Sequence, residues 1–374
     1  MPFMKTKFLL IDDEPGAESY TAALAAAHND LAIASLDARD PRQIEEFVVK
    51  TKPDGLLIDL QLTKSKGKAA EHFKIEGTAL AQEFRTRSNN LSSLSIPMVS
   101  LSYSSRRETL VGRDTTASDL FDANLSKKDV RDHAREFAKQ LVDLANGYRI
   151  IGKKTTFSPQ RWAKILGLSA ADYKSVDARI HRDLAAISGR PLHNIAGFFL
   201  HVLLPFSGPL IDEATLAIRL GVDRQKSGRG WGTLLSKLPS EARYRGVFSD
   251  SFSRWWMSPV DRWWQSARGA PALLAMLPAI ERVEFLKKRF KQLNLTAVEQ
   301  SVQSPDARFW VICERTGIPV DPPDGYAIAD DEQMRTWHDK RYLSRKAALR
   351  YIQSYVFEPG EKGRLAKIRQ YRRT

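Results

Sequence analysis

Two short apolar runs, each closed by acid, constrain this chain more than any other feature. Phe8-Leu9-Leu10-Ile11 leads into Asp12-Asp13-Glu14, and Leu56-Leu57-Ile58 leads into Asp59. Uninterrupted apolar runs of this length, without alternation, fit strands buried on both faces, the pattern of a parallel sheet. The C-terminal tips of such strands line a crevice. Carboxylates gathered at two neighbouring tips, here Asp12, Asp13 and Asp59, form a set of hard oxygen donors suited to a divalent cation.

The surrounding pattern alternates strand and helix. Residues 5–11 read as a strand, 14–28 as an Ala-rich helix, 31–35 as a second strand, and 41–50 as a helix that Asp40 caps with Pro41 at its first position. Strands follow at 55–59, 96–101 and 120–125, with a helix over 77–87 and a long one over 128–145. Five strands alternating with helices give an α/β fold built on a doubly wound parallel sheet.

That arrangement gathers Asp12 and Asp13 after the first strand, Asp59 on the third, Ser102 after the fourth and Lys127 after the fifth. A carboxylate in such a group can attack a phosphoryl group while a metal, a hydroxyl and an ammonium neutralise the transferred oxygens. The quoted residues, with Asp54-Gly55-Leu56-Leu57-Ile58-Asp59, Pro97-Met98-Val99-Ser100-Leu101-Ser102 and Asn124-Leu125-Ser126-Lys127, make residues 5–147 resemble the receiver domain of two-component response regulators. The resemblance implies a flavodoxin-like sheet of order 2-1-3-4-5. It also implies that Asp59 accepts phosphate from a histidine kinase or another phosphodonor. Mg²⁺ would be held by Asp12, Asp13 and Asp59, and phosphate would be contacted by Ser102 and Lys127. Three positions depart from the family: Lys128 stands where Pro is usual, Tyr103 where a small residue is common, and residues 60–76, with Lys64-Ser65-Lys66-Gly67-Lys68, form a far longer loop. That loop could cover the acceptor, bind a partner or be disordered.

The chain carries a formal net charge of +14, unevenly spread. Through Gly147 there are 20 Lys and Arg against 22 Asp and Glu, a net of −2; beyond it there are 38 against 22, a net of +16. Such asymmetry points the second part toward an anionic partner, nucleic acid first. A lone cysteine, Cys313, excludes an intramolecular disulfide and reads as a core thiol, and no apolar run is long enough to span a bilayer, so a cytoplasmic protein without membrane contact is expected.

The composition shifts at Arg149-Ile150-Ile151-Gly152-Lys153-Lys154, which suggests a receiver-like domain over 1–147 and a basic, mainly helical output region over 148–374, with a break near 240–300. Two phrases there have the form of a helix-turn-helix: 158–169 before a helix over 171–184, and Leu216 to Asp223 before a helix over 231–238. Any two helices packed at a sharp turn satisfy the same phrase. Arg224, Lys226, Arg229 and Lys237 lie beside the second and are candidates for phosphate or base contact. Two Arg-Trp-Trp units, Arg254-Trp255-Trp256 and Arg262-Trp263-Trp264, flank Pro259 and offer Arg254, Trp255 and Arg262 either to a partner or to a core. His193 and His201 lack a third metal ligand and read as satisfied core histidines, and no catalytic cluster declares itself, so an enzymatic output is not expected. Together these features describe a response regulator with a DNA-binding output. The long helix would transmit the signal or pair two copies as a homodimer. The alternative is a phospho-regulated adaptor whose Trp-rich surface docks a protein.

Overall fold

The apolar runs form strands, and those strands form one sheet. The computed structural model describes residues 5–14, 16–37, 40–62, 76–88, 91–102, 120–152, 157–291, 293–300, 304–330 and 333–371. Strands β1 (Thr6–Asp12), β2 (Leu31–Asp37), β3 (Gly55–Asp59), β4 (Met98–Ser102) and β5 (Ala123–Ser126) are all parallel, in the order β2-β1-β3-β4-β5. Ile11 pairs with Ile58 and Asp59 with Leu101, which brings the acidic ends of β1 and β3 to the same edge. Leu10, Ile11, Leu56, Leu57 and Ile58 have no exposed surface. At about 1.5–3 kcal/mol for each buried aliphatic side chain, this strip anchors the sheet.

Helices α1 (Ala17–Ala27), α2 (Pro41–Thr51), α3 (Gly77–Arg87) and α4 (Ala134–Gly152) flank it. Asp40 caps α2 by accepting the Arg42 N–H, with Pro41 at the first helical position. Ile44 and Val48 of α2, with Leu80 and Phe84 of α3, cover Leu9, Ile11, Leu56 and Ile58, while α1 packs against α4. Two helices start later than their patterns suggest. The first waits until Ala17, after Gly16 at φ 96°, and residues 127–133 are turns before α4 begins and runs on to Gly152.

A buried polar knot ties the entrances of β4 and β5 to the helices. Arg85 lies 2.7 Å from Asp122 and donates to the carbonyls of Leu120 (3.1 Å) and Ile96 (3.2 Å). Asp122 also accepts the Met98 N–H (2.8 Å) and the Tyr148 hydroxyl (2.6 Å). With every partner engaged, a buried pair of this kind is tolerated and fixes local register.

The chain divides into two compact units. The first comprises the described residues of 1–167, 182–203 and 246–252; the second those of 168–181, 204–245 and 253–374. Gly147, the expected end of the first domain, sits inside α4. A Cβ there would lie 2.1 Å from the Phe248 ring, so the close approach of residues 246–252 requires glycine. Asp143 on the same helix accepts the Ser251 N–H at 2.8 Å, and the Val247 N–H donates to the Ile165 carbonyl at 2.9 Å. Further helices are α5 (Pro159–Ile165), α6 (Ala170–Lys174), α7 (Ala178–Ile187) and α8 (Leu192–Gly197), the last followed by a π-helical segment Phe198–Leu203. The helix expected over 171–184 is thus interrupted, and the division between units falls within α7.

The second unit is mainly helical with short antiparallel ladders. Strand β6 (Leu210–Asp212) pairs with β7 (Arg254–Trp256), and Arg243 bridges to Trp255 on the far side. Between them come α9 (Glu213–Arg219), α10 (Arg224–Ser227) and α11 (Arg229–Leu235); α12 (Met257–Gln265) and α13 (Ala279–Arg289) follow. Leu216, Leu220, Trp231, Leu234, Trp255 and Trp264 share one core. A second core gathers residues of β8 (Val311–Ile312), β9 (Pro319–Val320), β10 (Tyr326–Ala327), β11 (Tyr342–Leu343), α14 (Arg345–Arg350) and α15 (Glu361–Tyr371). Arg282 is wholly buried and donates to the carbonyls of Ile218 (3.2 Å), Arg219 (3.0 Å), Phe309 (3.1 Å) and Arg308 (2.6 Å), which includes the C-terminal end of α9.

Candidate functional site

The C-terminal edge of the sheet carries the candidate phosphoryl site. Asp12 ends β1, Asp59 ends β3, Ser102 ends β4, and Lys127 follows β5, where its N–H donates to the Ser102 carbonyl at 2.7 Å. Asp12, Asp59 and Lys127 are 5%, 3% and 2% exposed, so their charges have little water to turn to and find one another instead. Lys127 Nζ lies 2.9 Å from Asp59 Oδ2, 3.0 Å from Asp12 Oδ2 and 3.2 Å from Glu14 Oε2.

Glu14 is the member that sequence patterning did not single out. Its N–H donates to Asp12 Oδ1 at 2.8 Å, closing a turn directly after β1, and its carboxylate returns to the Lys127 ammonium. The signal was present as a third acid behind the Asp12-Asp13 pair. Carboxylate oxygens of Asp12, Glu14 and Asp59 lie within 4.8 Å of one another. Asp13 is half-buried and is not a member of that group, although the expected set was Asp12, Asp13 and Asp59. Three carboxylates against one ammonium leave a formal excess of negative charge that suits a hard divalent cation.

Electrostatics follow from this crowding. Burial raises the Asp59 pKa, the Asp12 charge adds to the effect, and the hydrogen bond and charge of Lys127 only partly offset it. Burial disfavours the Lys127 ammonium, but hydrogen bonds to Asp59 and Asp12 outweigh it and hold its pKa above the ordinary lysine value. Lys127 therefore stays cationic beside the carboxylate that the chemistry would use. Tyr103 and most of the loop after Asp59, residues 63–75, lie outside the described residues.

In the second unit, α9 and α10 meet across a tight turn. Gly221 adopts φ 77°, the Val222 N–H returns to the Ala217 carbonyl at 2.8 Å, and Asp223 caps α10 by accepting the N–H groups of Gln225 and Lys226, both at 3.0 Å. Arg224, Lys226, Arg229 and Lys237 are all exposed. Arg224 lies 3.5 Å from Glu213, and Lys226 pairs with Glu299.

The Arg-Trp-Trp units behave differently from one another. Trp255 is 3% exposed beneath the Arg243 guanidinium, and Arg254 spends its Nε–H on the Leu204 carbonyl at 2.6 Å, so neither is presented to a partner. Arg262 is exposed and donates to Ser258 Oγ at 2.9 Å. Trp264 is fully buried, whereas Trp263 is half-buried and stacks on Phe290 with Arg289 over its face.

His193 sits near Ser88, Nδ1 to Oγ at 3.3 Å, and burial next to Arg85 lowers its pKa to about 4. Cys313 is buried as expected. Burial raises its pKa, but N–H donation from Ser344 (3.2 Å) and hydrogen bonds from Thr316 and Arg315 leave it below the usual thiol value. No described helix is long and apolar enough to cross a membrane.

A five-stranded parallel sheet of order 2-1-3-4-5, with acids on β1 and β3 and a lysine after β5 at its C-terminal edge, is the fold of a receiver domain. No family model matches the chain, and none of the curated proteins does. Among solved structures, it is similar to a CheY-like response regulator receiver domain from Methylobacillus flagellatus, at 17% identity over 37% of this chain and 98% of that one, with a TM-score of 0.27. It is also similar to NtrX from Brucella abortus, at 18% identity over 48% of this chain with a TM-score of 0.31, a match that spans about a third (34%) of the NtrX chain. The RcsB response regulator of Salmonella typhimurium matches at 16% identity over 51% of this chain and 98% of its own, with a TM-score of 0.28.

Proposed function

We propose that this chain is a response regulator in which Asp59 accepts a phosphoryl group from a histidine kinase or small phosphodonor, and in which the second unit is a nucleic-acid-binding output. The observation that supports the first half is the Lys127 ammonium held 2.9 Å from Asp59 and 3.0 Å from Asp12 at the edge of a parallel sheet. An Asp59 oxygen attacks phosphorus, the bond from phosphorus to the donor's leaving atom breaks, and an acyl phosphate results. Lys127 and the Ser102 hydroxyl meet the transferred oxygens. Asp12, Asp59 and Glu14 or Asp13 would hold Mg²⁺, which supplies neutralisation of the phosphoryl charge. Phosphate on Asp59 must draw Lys127 toward itself and away from Glu14, and any change passed onward has to come from that difference in contacts.

The output reading rests on the net charge beyond Gly147, +16 in all with +11 of it in the second unit, and on the exposed Arg224, Lys226, Arg229 and Lys237. The adaptor reading loses support because Trp255, Trp256 and Trp264 are buried. Incubation with acetyl phosphate and Mg²⁺ followed by intact mass tests the acceptor: wild type gains one phosphate and Asp59→Asn gains none. Equal labelling of the two removes Asp59 from the role.

A further inference from the structure

Four cations of the second unit meet on one patch, although the chain brings them from two places. Arg315 stands in the turn between β8 and β9, where Gly317 at φ 68° donates its N–H to the Cys313 carbonyl at 2.9 Å. Arg345, Lys346 and Arg350 stand on the single unbroken helix α14. At about 100° per residue they fall within roughly 140° of its circumference, opposite the buried Ala347 and Ala348. Turn and helix are tied together. The Ser344 N–H, at the start of α14, donates to Cys313 Sγ at 3.2 Å, and the Glu314 N–H donates to the Tyr342 carbonyl at 2.9 Å.

Tyr351, directly after α14, completes the junction. The Arg315 guanidinium lies 5.0 Å from the centre of its ring and the Arg350 guanidinium 5.4 Å, so one ring holds both charges. Acids nearby are committed elsewhere: Glu314, Asp339, Glu358 and Glu361 pair with Arg341, Arg219, Lys340 and Arg364. Arg315, Arg345, Lys346 and Arg350 are all exposed, and among the described residues none of them forms an ion pair. A guanidinium stacked on a ring keeps its N–H edge available for bidentate contact with phosphate.

We infer that Arg315 and Arg350, held on Tyr351 and flanked by Arg345 and Lys346, clamp the phosphate backbone of a nucleic-acid duplex without reading its sequence. This rests on the nucleic-acid reading of the second unit. It moves the contact to the β8–β9 turn and α14, since Arg224 and Lys226 beside the α9–α10 turn already face Glu213 and Glu299. Base stacking is not offered here, because Tyr351 is half-buried and its ring carries two guanidiniums. A duplex presents about twice the phosphate charge of a single strand per unit length, and so suits a clamp that works by charge. Binding to an anionic lipid surface calls for exposed apolar residues among the cations, whereas Leu349 and Tyr351, which lie between them, are half-buried.

The test uses the full chain, with and without acetyl phosphate and Mg²⁺, and fluorescent duplexes of about 25 base pairs in DNA and in RNA, read by anisotropy at about 50 and 200 mM salt. The tighter of the two names the duplex. Arg315→Ala/Arg350→Ala weakens binding about tenfold at the lower salt and lowers the log–log salt slope by about two, because two phosphate contacts are lost. Arg315→Lys/Arg350→Lys keeps the charge, loses the ring-held fork and still binds several-fold more weakly, while melting as wild type does. Lys287→Ala/Lys288→Ala removes the same charge from exposed positions on α13, and Arg229→Ala/Lys237→Ala removes it after the α9–α10 turn; each leaves binding within about twofold. Undiminished binding by either arginine pair, an equal loss in either control, or tighter binding to the matched single strand would each overturn the clamp while leaving a nucleic-acid output standing. So would binding to phosphatidylserine vesicles that the same substitutions abolish while the duplex stays bound. Absence of binding to duplex and single strand alike at low salt, with and without acetyl phosphate, would instead remove the nucleic-acid reading itself.

Discussion

Lys127 in the first unit and Arg282 in the second are both buried cations, and the two are surrounded by opposite kinds of partner. Lys127 in the first unit faces three carboxylates, from Asp12, Glu14 and Asp59, which can titrate, bind a metal or accept a phosphoryl group. Arg282 in the second faces four backbone carbonyls, which neither titrate nor accept a phosphoryl group. The direction of the pKa differs accordingly. Lys127 is held above its ordinary value by its acids, whereas burial brings Arg282 down to about 10, with Asp321 only partly offsetting it. Burial of a charge thus does not mark a site; the chemistry of what surrounds the charge does.

The largest expected effect comes from the structural cation. Arg282→Met removes a buried guanidinium that donates to four backbone carbonyls, and should destabilise the second unit by about 3–5 kcal/mol. Seven of the eight tryptophans, all but Trp162, lie in that unit, so urea unfolding followed by Trp fluorescence reads it directly. A loss below about 1 kcal/mol would mean that the carbonyl nest relaxes and Arg282 is not the staple its geometry suggests.

Lys127→Met should cost less, about 2–3 kcal/mol, and should behave differently. It leaves three carboxylates facing one another, a repulsion that a divalent cation can relieve. Millimolar Mg²⁺ is expected to restore much of the lost melting temperature in this variant and none of it in Arg282→Met. If Mg²⁺ leaves both variants unchanged, the acidic cluster is not a cation site and the contrast between the two buried charges collapses.

How much of this was legible beforehand follows the same division. The sheet and the positions of Asp12, Asp59, Ser102 and Lys127 came from short-range information, namely apolar runs a few residues long and acids at their ends. Glu14 was missed because its inclusion depends on a turn closed by its own N–H onto Asp12. Arg282 carried no local signal, since nothing in an amphipathic helix says which arginine will meet carbonyls from residues 218, 219, 308 and 309. The composition shift over 149–154 suggests a boundary there, whereas the helix runs through it to Gly152; Gly147 is the gap in α4 that accepts the Phe248 ring, and only the contact a hundred residues away gives it that meaning.

A titration probes a further buried cation of the first unit, one paired with acid but remote from the sheet edge. His193 lies beside Arg85 and Asp122; burial first, then the Arg85 charge, lower its pKa from 6.5 to about 4. A histidine whose folded pKa is depressed stays neutral when the unfolded chain would protonate. Its contribution is fully present above pH 6.5 and is lost as pH falls from there toward 4. Between pH 7 and 5 the first unit should lose about 1–2 kcal/mol on this account, discounted for partial exposure. His193→Gln should abolish that part of the pH dependence in chemical denaturation followed by circular dichroism. An unaltered slope would show that the Arg85–Asp122 knot does not reach the imidazole.

The smallest effect belongs to a cation that is neither buried nor surrounded. Arg262 is 51% exposed at the side chain and lies 3.7 Å from Asp172, within the second unit and on the same helix as the buried Trp264. Water competes for both charges, and holding two long side chains in register costs entropy, so Arg262→Ala should change stability by no more than about 0.5 kcal/mol. Its sequence context, Arg262-Trp263-Trp264, is nearly a copy of Arg254-Trp255-Trp256, yet Arg254 is desolvated, has a lowered pKa and donates to the Leu204 carbonyl. Arg254→Ala should therefore cost about 1–3 kcal/mol where its twin costs almost nothing. Equal effects in thermal melts of the two variants would mean that the repeated motif acts through composition; the expected inequality means that each arginine is defined by its surroundings, as Lys127 and Arg282 are.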